Sequence, residues 1–329
     1  MFNWGIIGLG RIAHKFVHEL HQTSLGHVSG VASRDLAKAK LFANQYDIEH
    51  FYGSYEEFIN LTDVQAVYIA VPHHLHARYT LQCLQRGIPV LCEKPFTINR
   101  HELIPLIEIA RKNKVFLMEA MWTRFMPHIK WIKQMVDQQE LGKILHLKAE
   151  FCFKGKERAQ LQGVERLIKN ELGGGALLDI GIYPLFLSYL LLGIPSDIKA
   201  EANIINEIDE NCLVLCRYED GATAYLESSI TWESAGQAVL YFENGSITLP
   251  SKWHETNHLI VHKFGHEPEP KTWQYPSRGF YYEMKEVQDC VLAGKSESEL
   301  MPLSTSLDIM TLLDRIRAII GLTYPADRI

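Results

Sequence analysis

An α/β half built on a doubly wound parallel sheet, followed by an α+β half built on a large, open, mainly antiparallel sheet, is the fold class this sequence predicts. Three observations carry that expectation. Over roughly the first 120 residues, short apolar runs alternate with amphipathic stretches, a glycine-rich turn follows the first of those runs, and after about residue 145 strand-like segments separated by turn signals take over.

The composition allows two domains with cores of their own: 329 residues, 47% of them hydrophobic and 22% charged. A formal net charge of −6 leaves no excess of basic residues to neutralise phosphates along a duplex, so a small-molecule ligand is expected and nucleic acid is not. Cys83, Cys92, Cys152, Cys212, Cys216 and Cys290 show no C-x-x-C spacing and lie mostly in apolar stretches, so neither disulfides nor a metal site is expected. The opening "MFNWGIIGLG" has no basic leader and reads as a strand rather than a signal peptide, which places the chain in the reducing cytoplasm. From Ile180 to Ile194 the chain is almost wholly apolar, but these 15 residues fall short of the ~20 of a spanning helix, and Pro184 interrupts them. They read as a buried helix, with no membrane partner.

Strands are expected at Trp4–Gly8, Val28–Ser33, Ala66–Val71, Val90–Glu93 and Val115–Glu119. Helices fall between and after them at Arg11–His21, Leu36–Tyr46, Tyr55–Asn60, Leu75–Arg86 and Arg100–Lys112. In the second half, "KILHLKAEFCF", "KAEANIINEI", "NCLVLCRYEDGATAYLESSITW" and "AVLYFENGSITLP" read as strands, with hairpins at Asp220-Gly221 and Asn244-Gly245. Two helices, Phe280–Ala293 and Leu303–Ile320, close the chain, and the polar stretch 154–171 reads as a mobile loop. The domain boundary is set at 122/123, giving 1–122 and 123–329, with the closing helix 303–320 a candidate to pack back on the first domain.

"WGIIGLGRIAHKF" carries G-x-G-x-x-A at Gly8, Gly10 and Ala13 between an apolar strand and a helix pattern. Gly8 permits the tight turn, Gly10 lets the backbone approach a pyrophosphate, and the helix start at Arg11 and Ile12 offers free N–H groups to the anion. This is the dinucleotide-binding signature of a Rossmann domain. At the end of the second strand an NAD-preferring site usually presents an acid to the ribose hydroxyls. Here Ser33 and Arg34 stand in that place, a pair suited to a 2′-phosphate, so NADP is favoured over NAD. The alternative is that Ser33 or Asp35 caps the next helix while Arg34 faces solvent.

"VPHHLHARY" and "VLCEKPF" each end a predicted parallel strand, where ligands of open α/β sheets bind, and Lys94-Pro95 is a candidate cis peptide. Pro72, His76, Glu93 and Lys94 are therefore expected around the cofactor. Taken with "MEAMWTRFMP" and "GGGALLDIGIYP", these motifs resemble the Gfo/Idh/MocA family of oxidoreductases over residues 2 to about 325, and most closely its dimeric dihydrodiol dehydrogenase branch. The resemblance implies that Lys94 lies near the nicotinamide and the reacting hydroxyl, that Asp179 is the Asp of the glycine-rich motif, and that Trp122 and Arg124 line the cofactor pocket. Tyr183 stands where sugar dehydrogenases of the family usually have His and this branch has Tyr. Where much of the family reads T-P-N-x-x-H, this chain has Val71-Pro72-His73-His74-Leu75-His76, with His73 in place of Asn.

Lys94, Tyr183 and Asp179 are the expected catalytic set. A lysine ammonium beside a phenol favours the phenolate and brings it toward use as an acid/base at neutral pH. Asp179, four residues before Tyr183, shares its face if the helix is continuous; otherwise a break near Gly181 puts Pro184 in the first turn of the next helix. The expected activity is hydride transfer between a nicotinamide and a secondary alcohol or carbonyl of a sugar, polyol or dihydrodiol. Alternatives are a sugar or inositol dehydrogenase, a glucose–fructose type oxidoreductase, or an NADP sensor without turnover. An open sheet face carrying apolar residues predicts a homodimer.

Overall fold

The computed structural model describes residues 1–61, 63–162 and 165–328, and positions 163–164 of the expected loop 154–171 lie outside the described residues. The chain divides into two units, one of residues 1–125 with 276–307 and the other of residues 126–275 with 308–329.

The first unit is built on six parallel strands: β1 (Phe2–Ile7), β2 (Gly26–Ala32), β3 (His50–Tyr52), β4 (Ala66–Ile69), β5 (Val90–Glu93) and β6 (Leu117–Ala120). Their order is β3-β2-β1-β4-β5-β6, so the direction of winding reverses beside β1, the topological switch point where such sheets take their ligands. Helices α1 (Arg11–Thr23), α2 (Leu36–Tyr46), α3 (Tyr55–Leu61), α4 (His76–Gln85) and α5 (Arg100–Asn113) connect them. Every residue of β4, β5 and β6 is buried, the signature of a sheet covered on both faces.

The second unit opens with α6 (Pro127–Asp137) and holds an eight-stranded sheet. Its strands are β7 (Ile144–Cys152), β8 (Asp197–Ile205), β9 (Ile208–Arg217), β10 (Thr223–Ser229), β11 (Ala238–Phe242), β12 (Gly245–Leu249), β13 (His258–Lys263) and β14 (Glu269–Thr272), in the order β14-β13-β12-β11-β7-β10-β9-β8. All pairs are antiparallel except β7 with β10. Both hairpin signals stand at hairpins: Asp220-Gly221 joins β9 to β10, and Asn244-Gly245 joins β11 to β12. The expected loop carries α7 (Gly155–Gln162) and two short 3-10 turns. The apolar run forms one helical stretch, a π turn over Leu177–Gly181 continued by α8 (Ile182–Leu192). Asn170–Leu192 is long and apolar enough to cross a bilayer, yet 83% of its apolar 18-residue window is buried within the protein, as a core helix is.

One face of this sheet carries α8. On the other, cross-strand register lines up Lys199, Leu215, Tyr225, Lys148, Val239, Thr248 and Ile260 in one row, and Leu215 and Ile260 are 52% and 40% exposed. Helices α9 (Phe280–Leu292) and α10 (Leu303–Ile320) complete the chain.

Candidate active site

In the first unit the glycine loop lies between β1 and α1. Gly8 has φ +94°, and a Cβ there would come 2.6 Å from the Ala70 carbonyl oxygen, so only glycine lets the loop pass this close to the end of β4. A Cβ on Gly10 would instead meet nothing within 4 Å. That open space fronts the N-terminus of α1, which has neither a side-chain cap nor an acidic residue in its first turn, where the amides of Arg11 and Ile12 stand. The cradle fits the pyrophosphate of a dinucleotide.

At the end of β2, Ser33 is buried and its Oγ accepts the Asp35 N–H at 3.2 Å. Asp35 caps α2, its Oδ1 accepting from Ala37 N (2.9 Å) and Lys38 N (3.2 Å). Arg34 is exposed beside the Tyr55 hydroxyl. The capping role falls to Asp35, and Arg34 is left facing outward at the strand end.

Pro72 opens a 3-10 turn, His73–Leu75, that leads into α4. His73 and His76 are both buried, and the His76 ring spans two backbone oxygens, Nδ1 at 2.8 Å from Pro95 O and Nε2 at 2.9 Å from Val71 O. It ties the end of β4 to the turn after β5. In that turn the Lys94-Pro95 peptide is cis. Glu93 accepts a hydrogen bond from the Tyr68 hydroxyl through Oε1 and the Lys94 N–H at 3.2 Å through Oε2. Trp122 stacks on Phe280, ring centroids 5.3 Å apart, and Arg124 donates from Nε to the Leu300 carbonyl at 2.8 Å.

In the second unit the glycine run turns into the helical stretch that carries Asp179 and Tyr183. Gly175 has φ +119°, and a Cβ on it would lie 2.1 Å from Asp209 Oδ1. Asp209 is fully buried and accepts the Leu177 N–H at 2.6 Å, capping the start of the π turn. Burial pushes its carboxyl up to about 7, against the pull of the Leu177 and Ala176 amides and the Arg317 charge. The Tyr324 hydroxyl closes the loop by donating to the Gly174 carbonyl at 2.6 Å.

Asp179 and Tyr183 are one turn apart on a stretch helical throughout, which answers the question of a break. Pro184 has no N–H to return to the Ile180 carbonyl, and the chain widens into π winding over those residues instead of breaking. Asp179 faces Arg166 in a two-pronged pair, Nη1 to Oδ1 at 3.0 Å and Nη2 to Oδ2 at 3.3 Å. Tyr183 lies in an aromatic nest, its ring 5.5 Å from Phe151 and 5.3 Å from His254, which stack on each other at 4.4 Å.

Residues 2–121 match the profile described as an oxidoreductase family with an NAD-binding Rossmann fold, GFO_IDH_MocA, and residues 129–248 match the GFO/IDH/MocA C-terminal domain. The chain belongs to the Gfo/Idh/MocA family of oxidoreductases. Among relatives, this Gfo/Idh/MocA chain is 34% identical to a protein named trans-1,2-dihydrobenzene-1,2-diol dehydrogenase from Xenopus tropicalis, over 98% of this chain and 99% of the relative. It is 35% identical to the Homo sapiens protein of the same name, over 99% of this chain and 98% of that one. Two solved structures share the fold of this Gfo/Idh/MocA chain. KijD10, a 3-ketoreductase from Actinomadura kijaniata solved with NADP and TDP-benzene, superposes with TM-score 0.85 at 24% identity, over 97% of this chain and 98% of that one. An aldose-aldose oxidoreductase from Caulobacter crescentus, complexed with glycerol, gives TM-score 0.85 at 22% identity over 97% of each chain.

Sequence reasoning did not single out Arg166, Asp209, Phe151, His254 or Glu119 of this Gfo/Idh/MocA chain. Glu119 had a visible signal, a lone carboxylate within the apolar segment "VFLMEAM". The other four reach their partners from 13 or more residues away in sequence, and no local pattern announces such a meeting. Among the described residues no cluster of His, Cys, Asp or Glu is arranged to hold a metal ion.

Proposed function

We propose that this chain is an NADP-dependent dehydrogenase or reductase. Its substrate is a secondary alcohol or carbonyl on a sugar, a polyol or a trans-dihydrodiol-like ring. The observation that carries the reading is the full-length identity of 34–35% to proteins named trans-1,2-dihydrobenzene-1,2-diol dehydrogenase, in a chain that carries Lys94, Asp179 and Tyr183. When bound, the nicotinamide accepts or returns a hydride at the reacting carbon. The chain's own residues handle the proton. Tyr183 Oη takes it from the alcohol, the Lys94 ammonium favours the phenolate that does so, and Asp179, steadied by Arg166, supports them. In the cofactor's site Gly8 and Gly10 free the space and the Arg11 and Ile12 amides bind the pyrophosphate. Pro72, His76 and Glu93 shape the floor, and Trp122 and Arg124 the wall. The test is reduced-cofactor absorbance with both NADP and NAD against sugars, polyols, dihydrodiols and dicarbonyls. Tight NADP binding with no substrate turned over contradicts the enzyme reading and favours an NADP sensor.

Preference for NADP rests on Arg34, an outward-facing guanidinium at the β2 end with no acid competing for the ribose. Arg34→Ala is expected to weaken NADPH binding by ~10-fold or more and NADH binding by no more than ~2-fold, since a hydrogen bond to a charged group is lost only with the 2′-phosphate. Fluorescence titration with both reduced cofactors reads this, and equal losses would contradict it.

The open sheet face supports a homodimer. Its exposed Leu215, Tyr241 and Ile260 lie on the side away from α8, and a second copy supplies a matching surface. Light scattering should return twice the 37.7 kDa chain mass, and Leu215→Glu with Ile260→Glu should return the single mass.

A further inference from the structure

The turn that carries Lys94 is gripped by buried side chains on three sides. His76 holds the Pro95 carbonyl, Glu93 holds the Lys94 amide, and the Phe96 N–H donates to Glu119 Oε1 at 3.0 Å. Glu119 comes from β6, opposite Cys92 in the strand register, and is 1% exposed. A neutral side chain could accept one amide bond at far lower desolvation cost than a carboxylate. Among the described residues no hydrogen bond of ordinary length reaches the second oxygen, Oε2, although the Ser306 hydroxyl of α10 stands near the carboxyl. A charge kept in such a place needs a reason beyond one amide, and the positive group facing it is the Lys94 ammonium.

We propose that Glu119 is a positioning residue for Lys94, fixing the turn through the Phe96 amide and holding a counter-charge behind the ammonium. The inference rests on the reading of Lys94 as the proton-transfer lysine. The groups facing Glu119 are Lys94 from the turn, Glu93 and the Cys92 thiol from β5 and the Ser306 hydroxyl from α10. Burial holds the Cys92 thiol well above its ordinary range, so it stays neutral. Burial also pushes Glu119 up to about 7, opposed by Ser306, the Phe96 amide and Lys94. As pH falls through that value Glu119 gains a proton, and the counter-charge is lost.

Two measurements test this. In cofactor-free protein whose lysines carry 13C-dimethyl groups, the signal that disappears in Lys94→Met reports the surroundings of Lys94 at a fixed pH. Glu119→Gln should move that signal, while Glu119→Asp, which keeps the charge, should leave it in place. In turnover of trans-1,2-dihydrobenzene-1,2-diol with NADP, or of the polyol that responds in its place, wild-type kcat should fall as pH drops through about 7. Glu119→Gln should flatten that limb and lower kcat ~10-fold at pH 8, with KM within ~2-fold. An unmoved Lys94 signal and an unchanged kcat profile in Glu119→Gln would overturn the proposal. If Lys94→Met retains turnover while Glu119→Gln still moves the Lys94 signal, the pairing stands and the catalytic reading of Lys94 falls.

Discussion

Lys94→Met and Tyr183→Phe are each expected to lower turnover by ~100-fold or more while NADP binding is retained. A phenol at its ordinary pKa of about 10 is a poor base at neutral pH, and in the proposed mechanism it is the Lys94 ammonium that favours the phenolate. Tyr183→Phe takes away the proposed proton carrier itself. Neither change touches the glycine loop, where Gly8, Gly10 and the first amides of α1 form the proposed pyrophosphate cradle, so cofactor affinity should hold. Stopped-flow hydride transfer together with cofactor titration separates the two quantities. Near-normal turnover in both variants would remove Lys94 and Tyr183 from the chemistry and leave the fold assignment untouched.

Gly175→Ala is expected to destabilise the second unit by ~3 kcal/mol or more, because two independent penalties fall on one methyl group. The φ of +119° is one an L-residue rarely adopts, and the methyl carbon would sit 2.1 Å from Asp209 Oδ1. Asp209 cannot step aside cheaply, since it is fully buried and its other oxygen caps the helical stretch at Leu177. Gly193→Ala is the control, with φ +79° and nothing within 4 Å of the added carbon, where only the backbone strain of about 1–3 kcal/mol applies. Urea unfolding followed by tryptophan fluorescence gives both values. Equal losses would show that Asp209 moves freely.

The first sheet was legible because β4, β5 and β6 are fully buried, mainly apolar runs punctuated by turn signals; the expected Val90–Glu93 coincides with β5, and the other expected strands overlap β1, β2, β4 and β6. β3 was not legible. Its three residues, His50, Phe51 and Tyr52, are half-exposed at the sheet edge and carry no periodicity. α6 did carry a signal, since Ile129, Ile132 and Met135 are buried at helical spacing after Pro127, and β13 carried alternation in "HLIVHK". Both went unread beside stronger patterns. At the site, the glycines and "EKP" announce themselves because their chemistry is local. The Asp209 cap and the Arg166 clasp depend on chain segments that meet only after folding. The triple glycine was visible as a turn, but its necessity lies in a carboxylate 34 positions downstream.

The Tyr324 hydroxyl bonded to the Gly174 carbonyl spans 150 positions of sequence, and the Asn170 amide reaches the Thr323 carbonyl across a similar gap. Chains emerge from the ribosome N-terminus first, so this latch is fitted long after the helical stretch it secures has been made. The segment bearing Asp179 and Tyr183 must wait, its glycines free of their final restraint, while more than a hundred further residues are added. Synthesis thus imposes an order of assembly, with the turn that introduces Tyr183 fastened only once Thr323 and Tyr324 have been added.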